Sequence, residues 1–343
     1  MRGVLVKEWT AFENLTLEEL PEPRLAPNQV RIRTQAAGVS FATSLVVQGK
    51  YQRKPPLPFV PGTEAAGIVE EVGAEVRRFR PGDRVIAVLD WGGLAEKAVA
   101  FEVNCYRIPD GLDFAPSISF TNSYGTSAAA LTWPHLLNLQ PGETLLVHGA
   151  AGGVGLAAVE IGKILGATVI ATAGGDAKLA VVREHGADHA IDYRKGPFRD
   201  RVLELTGGKG ADVILDPVGG DVFDQSLRCI APEGRIMPVG FAGGRIPQIP
   251  ANILLVKNVT VCGLNLGYYY GWSPYDARYD YEDRMRALMD RLFGWYEEGR
   301  LKPTVSHAFP IERFQEAMAA VLGRRSIGRV VLLMNEAAAG LGR

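Results

Sequence analysis

The sequence predicts an α/β chain that combines a doubly wound parallel sheet with a second, mainly antiparallel β domain. Between residues 144 and 265, short apolar runs alternate with stretches of helical spacing, as in successive βαβ units. Before residue 120, strand-like runs are separated mostly by proline and glycine turns, which is typical of antiparallel sheets. A chain of 343 residues is long enough for both domains.

The segment at 144–166, TLLVHGAAGGVGLAAVEIGKILG, contains a strand, a glycine-rich turn and a helix in that order. Glycines let the backbone approach a diphosphate, and a helix start directs free N–H groups and a positive dipole end toward it. The alternative is a tight turn that packs the helix on the strand, since an alanine replaces the first glycine of the GxGxxG pattern. We expect dinucleotide binding here, by Ala150, Gly152, Gly153, Val154 and Gly155.

In the first domain, the run at 29–34 alternates valine and isoleucine with arginine and predicts a strand with one solvated face. A short helix and a proline-rich loop follow within residues 37–62. Six strand-like runs in the block at 144–265 match the strand count of a dinucleotide-binding sheet. Two amphipathic helices at 280–301 and 311–324 precede a closing strand.

The composition excludes several classes of function. The 37 basic and 38 acidic residues nearly cancel, so nothing favours nucleic acid or an anionic membrane as a partner. No apolar run reaches the roughly 20 residues that span a bilayer, and charged residues soon interrupt the N-terminal run. We therefore expect a cytoplasmic protein. The three dispersed cysteines favour buried thiols over disulfides.

Seven segments together resemble the medium-chain dehydrogenase/reductase superfamily, and within it the zinc-free NADPH:quinone oxidoreductases, especially the quinone oxidoreductase-like branch. They are AGVSFATSLVVQGKYQRKPPLPFVPGTEAAGIVEEVG, RPGDRVIAV, SYGTSAAAL, PGETLLVHGAAGGVG, HGADHAIDYR, VGGDVFDQSLRCIAPEGRIMPVGFAGG and GRVVLLM. The resemblance implies a Rossmann doubly wound parallel sheet, residues 121–265, inserted in a GroES-like, mainly antiparallel β-barrel catalytic domain, residues 1–120 and 266–343. It also implies a homodimer joined at the edge strand, here residues 258–263.

Zinc-binding members of the superfamily place ligands at three positions that correspond here to Ser40, Thr63 and Asn122. Zinc is held by thiolate, imidazole or carboxylate groups, so two hydroxyls and an amide do not suit it. The lobe of clustered cysteines that binds a structural zinc is also missing from the sequence. We therefore expect no metal, and a reaction that needs no Lewis acid.

The second strand of the nucleotide domain ends in small, uncharged residues at 171–175, where an NAD enzyme usually carries an acid. This leaves room for a 2′-phosphate and predicts NADPH as the cofactor. The resemblance implies that Lys178 and Arg324 contact that phosphate and that Tyr193 lies on the adenosine side. Asp176 would favour NADH instead, and Lys178 would otherwise be a solvated lysine at a helix start.

The resemblance also places the nicotinamide end of the cofactor. Thr126 corresponds to a threonine that packs on the nicotinamide. Two backbone stretches correspond to those that line the cofactor and hold its carboxamide. The first contains Gly240 and Phe241, and the second contains Leu264, Asn265 and Leu266. Hydride transfer is the chemistry of the cofactor, while the protein supplies orientation and electrostatics.

Two residues are candidates for the catalytic contacts. Tyr51 corresponds to the acid of related enoyl thioester reductases, and a phenol can donate to developing negative charge without being ionised. The alternative is that Tyr51 packs on the neighbouring prolines. Ser40 stands where quinone oxidoreductases typically carry asparagine and still offers one hydroxyl donor. The aromatic segment at 267–284 would either cover a flat acceptor or lie in a subunit interface.

These observations predict a metal-independent oxidoreductase that transfers hydride from NADPH to a quinone or another α,β-unsaturated carbonyl. One alternative is an enoyl-CoA or acyl-carrier-protein (ACP) reductase, for which Arg53 and Lys54 are the basic residues available to a carrier. An alternative of another class is a non-catalytic dinucleotide-binding redox sensor or RNA-binding protein. The neutral charge balance argues against RNA.

Overall fold

The structure is a computed structural model that describes residues 1–334. The described chain forms two compact units. Within the described residues, the first unit contains Met1–Thr121, Gly267–Asp290 and residues 303–334, and the second contains Asn122–Leu266 and Arg291–Lys302. No helix within residues 1–334 is both long and apolar enough to cross a membrane.

The segment Arg291–Lys302 groups with the second unit, whereas the sequence analysis assigned it to the first domain. One contact that holds it there involves Glu160, whose buried carboxylate accepts hydrogen bonds from the Lys302 backbone N–H at 3.1 and 3.2 Å. The same carboxylate accepts from the Tyr124 hydroxyl at 2.6 Å and lies 2.6 Å from Nδ1 of His185. A buried carboxylate is stable only when it is paired in this way.

The strands of the described chain are short to medium in length. In chain order they are β1 (Arg2–Leu5), β2 (Thr16–Glu19), β3 (Gln29–Val39), β4 (Glu64–Val72), β5 (Arg84–Val88), β6 (Lys97–Phe101), β7 (Cys105–Arg107), β8 (Thr144–Val147), β9 (Thr168–Ala173), β10 (His189–Asp192), β11 (Ala211–Asp216), β12 (Ile230–Pro238), β13 (Thr260–Val261), β14 (Val305–Pro310) and β15 (Arg329–Leu333). Most of them match runs that the apolar pattern predicts.

The α-helices lie between these strands. They are α1 (Phe41–Val47), α2 (Phe114–Ser119), α3 (Gly125–Thr132), α4 (Gly153–Ile164), α5 (Asp176–Glu184), α6 (Phe198–Leu205), α7 (Asp221–Cys229), α8 (Ala251–Lys257), α9 (Glu282–Glu297) and α10 (Phe314–Leu322). A π-helical turn, Phe120–Tyr124, joins α2 to α3. The apolar pattern does not predict α8, because Leu255 and Val256 are exposed while Ile253 and Leu254 are only partly buried against the core of the unit.

The first unit contains a seven-stranded sheet in the order β14-β15-β3-β4-β5-β7, with β6 also paired to β3. All of its ladders are antiparallel except the one between β14 and β15. In β3, Val30 and Ile32 are buried while Arg33 is exposed, as the alternating pattern predicts. The buried side chains of β3 to β6 form one apolar core of this unit.

The second unit contains a six-stranded sheet in the order β10-β9-β8-β11-β12-β13, and every pair is parallel. This is the strand order of a doubly wound dinucleotide fold, with its switch point between β8 and β11. β8, β9 and β11 are buried on both faces along most of their length, as expected when helices cover both sides. Ligands of such sheets bind at the carboxyl ends of the strands near the switch point.

Candidate active site

The glycine turn of the second unit connects β8 to α4. Gly149 has φ +54°, a conformation that favours glycine, and its carbonyl accepts the Gly152 N–H at 2.9 Å. The Ala150 N–H donates to the Thr172 carbonyl at 3.0 Å, which fixes the turn to β9. Gly152 is the N-cap of α4 and has no side chain to accept the N–H groups of the first turn. These N–H groups therefore lie at the carboxyl edge of the sheet with no side-chain cap, which suits an anion.

The close packing of α4 on the glycine turn requires a glycine at position 155. A Cβ built on Gly155 would overlap the Gly149 carbonyl oxygen and lie 2.6 Å from the Ala150 Cα. The α3 helix also contacts this region, because the Ser127 hydroxyl donates to the Val154 carbonyl at 2.7 Å. The preceding residue, Thr126, is half-buried, and its hydroxyl lies 3.5 Å from the Asn122 side-chain oxygen. The structure thus brings Thr126 and the predicted turn residues into one region of the second unit.

His148, directly before the turn, ties three elements together. Its Nε2 lies 2.8 Å from the Ser226 hydroxyl on α7, and its Nδ1 lies 2.9 Å from the Thr172 hydroxyl on β9. Because the Ser226 hydroxyl already donates to the Val222 carbonyl at 2.7 Å, we assign the imidazole proton to Nε2. Burial lowers the pKa of His148 to about 3, so the ring is neutral at physiological pH. Sequence reasoning did not single out this residue.

The end of β9 is bordered by the residues that follow β10. A Cβ on Gly174 would lie 2.6 Å from the Tyr193 hydroxyl, and one on Gly175 would lie 2.9 Å from Nη2 of Arg194. Gly175 has φ +97° and is the N-cap of α5, which carries Lys178 in its first turn. The structure therefore places predicted residues Tyr193 and Lys178 near the end of β9. It adds Arg194, which the sequence analysis passed over although it directly follows Tyr193.

The loop after β12 is bonded to the turn after β11. The N–H groups of Ala242 and Gly243 donate to the Pro217 and Val218 carbonyls at 3.1 and 2.8 Å. The buried Asp216 carboxylate supports this turn through Oδ1, which accepts the Val218 and Gly219 N–H groups at 2.8 and 3.0 Å. Burial raises the pKa of Asp216.

The predicted cofactor residues Gly240 and Phe241 lie at the start of this loop. A Cβ on Gly219 would lie 3.0 Å from the Phe241 ring, so the ring packs against the Asp216-capped turn. Sequence reasoning missed the role of Asp216, for which the signal is an acid at a strand end followed by Pro-Val-Gly-Gly.

Three further predicted residues follow the edge strand β13. Leu264 is half-buried, Asn265 is exposed and Leu266 is buried, and they come after the carboxyl end of the strand. The Cys262 N–H donates to the Ile236 carbonyl at 2.9 Å, which extends the pairing of this edge. Arg324 lies in the first unit, directly after α10, in a left-handed conformation with φ +53°.

Ser40 and Tyr51 both belong to the first unit. Ser40 is the N-cap of α1, and its hydroxyl lies 3.1 Å from the Thr43 hydroxyl and 3.4 Å from the Thr43 N–H. Tyr51 follows this helix, is half-buried, and has a pKa raised by burial. The phenol therefore keeps its proton across the physiological range and can donate it in a hydrogen bond.

The loop that carries Tyr51 is anchored through Arg53. The Arg53 guanidinium pairs with the Asp90 carboxylate at 3.0 Å and lies 5.3 Å from the Trp91 ring centre and 5.6 Å from the Trp272 ring centre. Asp90 also binds the buried Arg278, with Nη2 to oxygen distances of 3.2 and 3.4 Å. This network joins the Tyr51 loop to the aromatic segment at 267–284, and sequence reasoning did not find it because its members are far apart in the chain.

The aromatic segment itself forms a cluster within the first unit. Tyr268 contacts the rings of Tyr269, Tyr275 and Tyr281 at centroid distances of 5.4 to 5.9 Å. Tyr275 remains more than half exposed. Within residues 1–334, no group of three or more histidine, cysteine, aspartate and glutamate side chains is placed to hold a metal ion.

Comparison with protein families gives two matches. Residues 26–110 match the alcohol dehydrogenase GroES-like domain, and residues 153–287 match the family described as zinc-binding dehydrogenase. The first match lies in the mainly antiparallel unit, and the second begins at the start of α4. The predicted α/β architecture, a Rossmann sheet with a GroES-like domain, is confirmed.

The chain is also similar to individual proteins along nearly its whole length. It is 45% identical to quinone oxidoreductase-like protein 2 homolog of Nematostella vectensis, over 90% of this chain and 82% of the relative. It is 38% identical to quinone oxidoreductase-like protein 2 of Rattus norvegicus, over 93% of this chain and 88% of the relative.

Solved structures give the same result. Pseudomonas syringae quinone oxidoreductase has a TM-score of 0.87 at 31% identity and covers 97% of this chain and 99% of its own. Escherichia coli quinone oxidoreductase, solved as a complex with NADPH, has a TM-score of 0.87 at 27% identity and covers 97% of this chain and 100% of its own. The chain therefore belongs to the quinone oxidoreductase-like family of medium-chain dehydrogenases/reductases.

Proposed function

We propose that this protein is an oxidoreductase that transfers hydride from NADPH to a quinone or another α,β-unsaturated carbonyl, without a metal. The observation that carries the proposal is the glycine turn at 149–155, which presents the uncapped start of α4 at the switch point of a parallel sheet. Family membership supports oxidoreductase chemistry, and the similar Escherichia coli enzyme was solved as a complex with NADPH.

The residues present fit NADPH as the cofactor. The N–H groups at Gly153, Val154 and Gly155 would bind the diphosphate, because no side chain caps this helix start. The 2′-phosphate would lie at the end of β9, with Lys178 and Tyr193 beside it and Arg324 as a further contact. Bound NADPH supplies the hydride, and these residues supply its orientation.

The nicotinamide half of the cofactor would be held by the other predicted residues. The helix α3, which carries Thr126, is held to the first turn of α4 by the hydrogen bond from Ser127 to Val154. Because that turn would bind the diphosphate, this position favours a contact between Thr126 and the nicotinamide. The backbone at Gly240 and Phe241, and the stretch at 264–266, would line the cofactor and hold its carboxamide. The Asp216-capped turn gives the 240–243 loop a defined position.

Metal independence rests on the residue types at the ligand positions. Ser40 presents a hydroxyl that already interacts with Thr43, and Thr63 and Asn122 offer a hydroxyl and an amide. Such neutral groups bind zinc poorly compared with thiolate, imidazole and carboxylate. Reduction of an electron-poor double bond or quinone needs no Lewis acid, so this ligand set suits it better than alcohol oxidation does.

Proton donation to the reduced acceptor would come from Tyr51. Its pKa is raised by burial, so the phenol donates to a developing oxyanion while it is itself neutral. The Ser40 hydroxyl would be a second donor, positioned by its N-cap contacts. Of the two basic residues available to a coenzyme A carrier, Arg53 is already paired with Asp90 and lies against two indole rings, whereas Lys54 is exposed. One exposed lysine is little positive charge for a carrier, which favours small acceptors over acyl thioesters.

Turnover of a panel of acceptors tests this proposal. Oxidation of NADPH would be followed by absorbance with 1,4-benzoquinone, 9,10-phenanthrenequinone, 2-hexenal and crotonyl-coenzyme A. We expect turnover with the quinones or the enal and little with the thioester, and no loss of rate after dialysis against a chelator. Preference for crotonyl-coenzyme A would instead identify an enoyl thioester reductase. Absence of turnover with all four would favour the non-catalytic alternative.

We also propose that two copies assemble through the edge strand β13. This strand ends the sheet, and the preceding segment exposes Ile249 by 47%, Leu255 by 78% and Val256 by 77%. Exposed apolar side chains beside an unpaired edge are typical of an association surface. Light scattering is expected to give a dimer for the parent protein and a monomer for a Leu255→Asp, Val256→Asp variant. A monomeric parent would contradict the proposal.

A further inference from the structure

Arg194 lies directly against the end of β9, although it belongs to the segment after β10. A Cβ built on Gly175 would be 2.9 Å from Nη2, 3.1 Å from Nη1 and 3.2 Å from Cζ of Arg194. The guanidinium therefore occupies the space into which a side chain at 175 would project. Any larger residue at 175 would displace it, and the φ of +97° at Gly175 also disfavours other residues.

Asp192 fixes the orientation of this guanidinium. Nε of Arg194 donates to Oδ1 of Asp192 at 3.0 Å and Nη2 donates to Oδ2 at 2.9 Å, while the Arg194 backbone N–H donates to Oδ1 at 3.0 Å. The hydrogen bonds from Arg194 lower the pKa of Asp192, so the carboxylate is charged throughout the physiological range. An arginine held in a bidentate pair loses little further side-chain entropy when it binds a second anion.

The same guanidinium keeps free donors on its outer side. The Asp192 carboxylate is 4% exposed, whereas the Arg194 side chain is 56% exposed. Within residues 1–334, Nη1 makes no hydrogen bond. Nη1 and the second hydrogen of Nη2 can therefore donate to a new partner while the pair with Asp192 stays intact.

The location of these N–H donors indicates which anion they would bind. In a dinucleotide sheet the end of the second strand lies at the ribose 2′ position, where NAD enzymes carry an acid. Here the strand is followed by glycines at 174 and 175, and an arginine occupies the adjoining space. A phosphate dianion accepts two parallel N–H groups from a guanidinium, whereas a 2′-hydroxyl has no charge to match.

We propose that Arg194, oriented by Asp192, binds the 2′-phosphate of NADPH and is a main determinant of the preference for NADPH over NADH. This inference rests on the proposed function, since it presupposes that the chain binds a nicotinamide dinucleotide. Asp176, the acid that would favour NADH, is 89% exposed and lies 3.8 Å from Nζ of Lys195. Its charge is therefore solvated and partly balanced.

The test measures binding and needs no turnover. Dissociation constants of NADPH, NADH, 2′,5′-ADP and 5′-AMP would be measured by calorimetry for the parent protein and for Arg194→Gln. Loss of a charge-assisted phosphate contact is expected to weaken NADPH and 2′,5′-ADP by about tenfold or more. NADH and 5′-AMP are expected to change by less than about twofold, because neither carries the phosphate.

Two further variants make the result specific. Arg183→Gln removes an equal charge from the exposed last turn of α5 and is expected to leave all four dissociation constants unchanged. Arg194→Lys keeps the charge without the planar fork and is expected to recover part of the NADPH affinity. If Arg194→Gln folds poorly, the dissociation constants of Arg194→Lys still test whether the guanidinium binds the 2′-phosphate.

The outcomes separate this inference from the proposed function. Equal weakening of NADPH and NADH by Arg194→Gln, or no weakening of either, would show that Arg194 is a structural partner of Asp192 and would overturn the inference. A parent protein that binds neither dinucleotide would overturn the proposed function itself. A parent that binds both with equal affinity would contradict the assigned preference while leaving dinucleotide binding intact.

Discussion

Mild acid is expected to destabilise the second unit through His148. The ring is buried between Thr172 and Ser226, and burial lowers its pKa from 6.5 to about 3. The unfolded chain takes up a proton near pH 6.5, whereas the folded chain does so only near pH 3. Between these values the unfolded state binds more protons, so the free energy of unfolding falls as the pH falls.

The size of the effect follows from the two pKa values. Each pH unit within this window changes the free energy of unfolding by about 1.4 kcal/mol for one proton. Acidification from about pH 7.5 to about pH 5 crosses roughly 1.5 units below the unfolded pKa and is expected to cost about 2 kcal/mol. This is a large fraction of the roughly 5 to 15 kcal/mol that stabilise a typical domain.

Urea denaturation followed by circular dichroism would measure the free energy of unfolding at three pH values for the parent protein and for His148→Asn. Asparagine keeps an acceptor for Thr172 but has no titrating ring. The variant is therefore expected to be less stable near neutrality, and its free energy of unfolding lacks the pH dependence that His148 causes. Other titrating groups act equally in both proteins, including Asp216, whose raised pKa has the opposite sign of effect. The stability difference should therefore shrink by about 2 kcal/mol toward pH 5. A constant difference across the range would refute the assignment of His148 as a buried neutral base.

Three further results are expected. Gly155→Ala should abolish measurable NADPH binding in calorimetry, because its Cβ would overlap the Gly149 carbonyl and displace the helix start; unchanged affinity would contradict the proposed diphosphate site. Tyr51→Phe should lower kcat with enones by about 10² to 10⁴-fold while the NADPH dissociation constant stays the same, and full turnover would remove Tyr51 as proton donor. Asp90→Asn should free the Arg53 loop and raise KM for the acceptor more than that for NADPH, and equal increases in both would argue against a role for this network at the acceptor.

Much of the nucleotide domain could be predicted from the sequence because its signals are local. The strand, glycine turn and helix at 144–166 are consecutive in the chain, so each step of the pattern constrains the next. The order of the six strands follows from the topology rules of doubly wound sheets once the βαβ units are identified. Tyr193 could be named because the run HGADHAIDYR resembles the family, and the structure places it against Gly174 at the neighbouring strand end.

Other parts depend on contacts that a single sequence does not reveal. α8 was not predicted because apolar Leu255 and Val256 point outward, against the rule on which helix prediction rests. His148 carried no recognisable motif, since its partners come from β9 and α7, which are 24 and 78 residues away in the chain. Arg194 was overlooked because its significance comes from the backbone of Gly175 rather than from its own neighbours in sequence.

The same distinction explains why the cofactor is easier to infer than the acceptor. The adenosine end of the proposed site is formed within one βαβ unit, where Gly175 and Arg194 are brought together by adjacent parallel strands. The surroundings of Tyr51 instead depend on the Asp90 to Arg278 contact, whose partners are 188 residues apart and lie in loops. Loops tolerate changes in length and sequence that sheet strands do not. Acceptor specificity within this family is therefore expected to vary with the loops around Arg53 and Arg278 while the dinucleotide turn stays the same. Exchanging the 267–281 segment with that of a quinone oxidoreductase relative should change the ranking of acceptors and leave the NADPH dissociation constant unaltered.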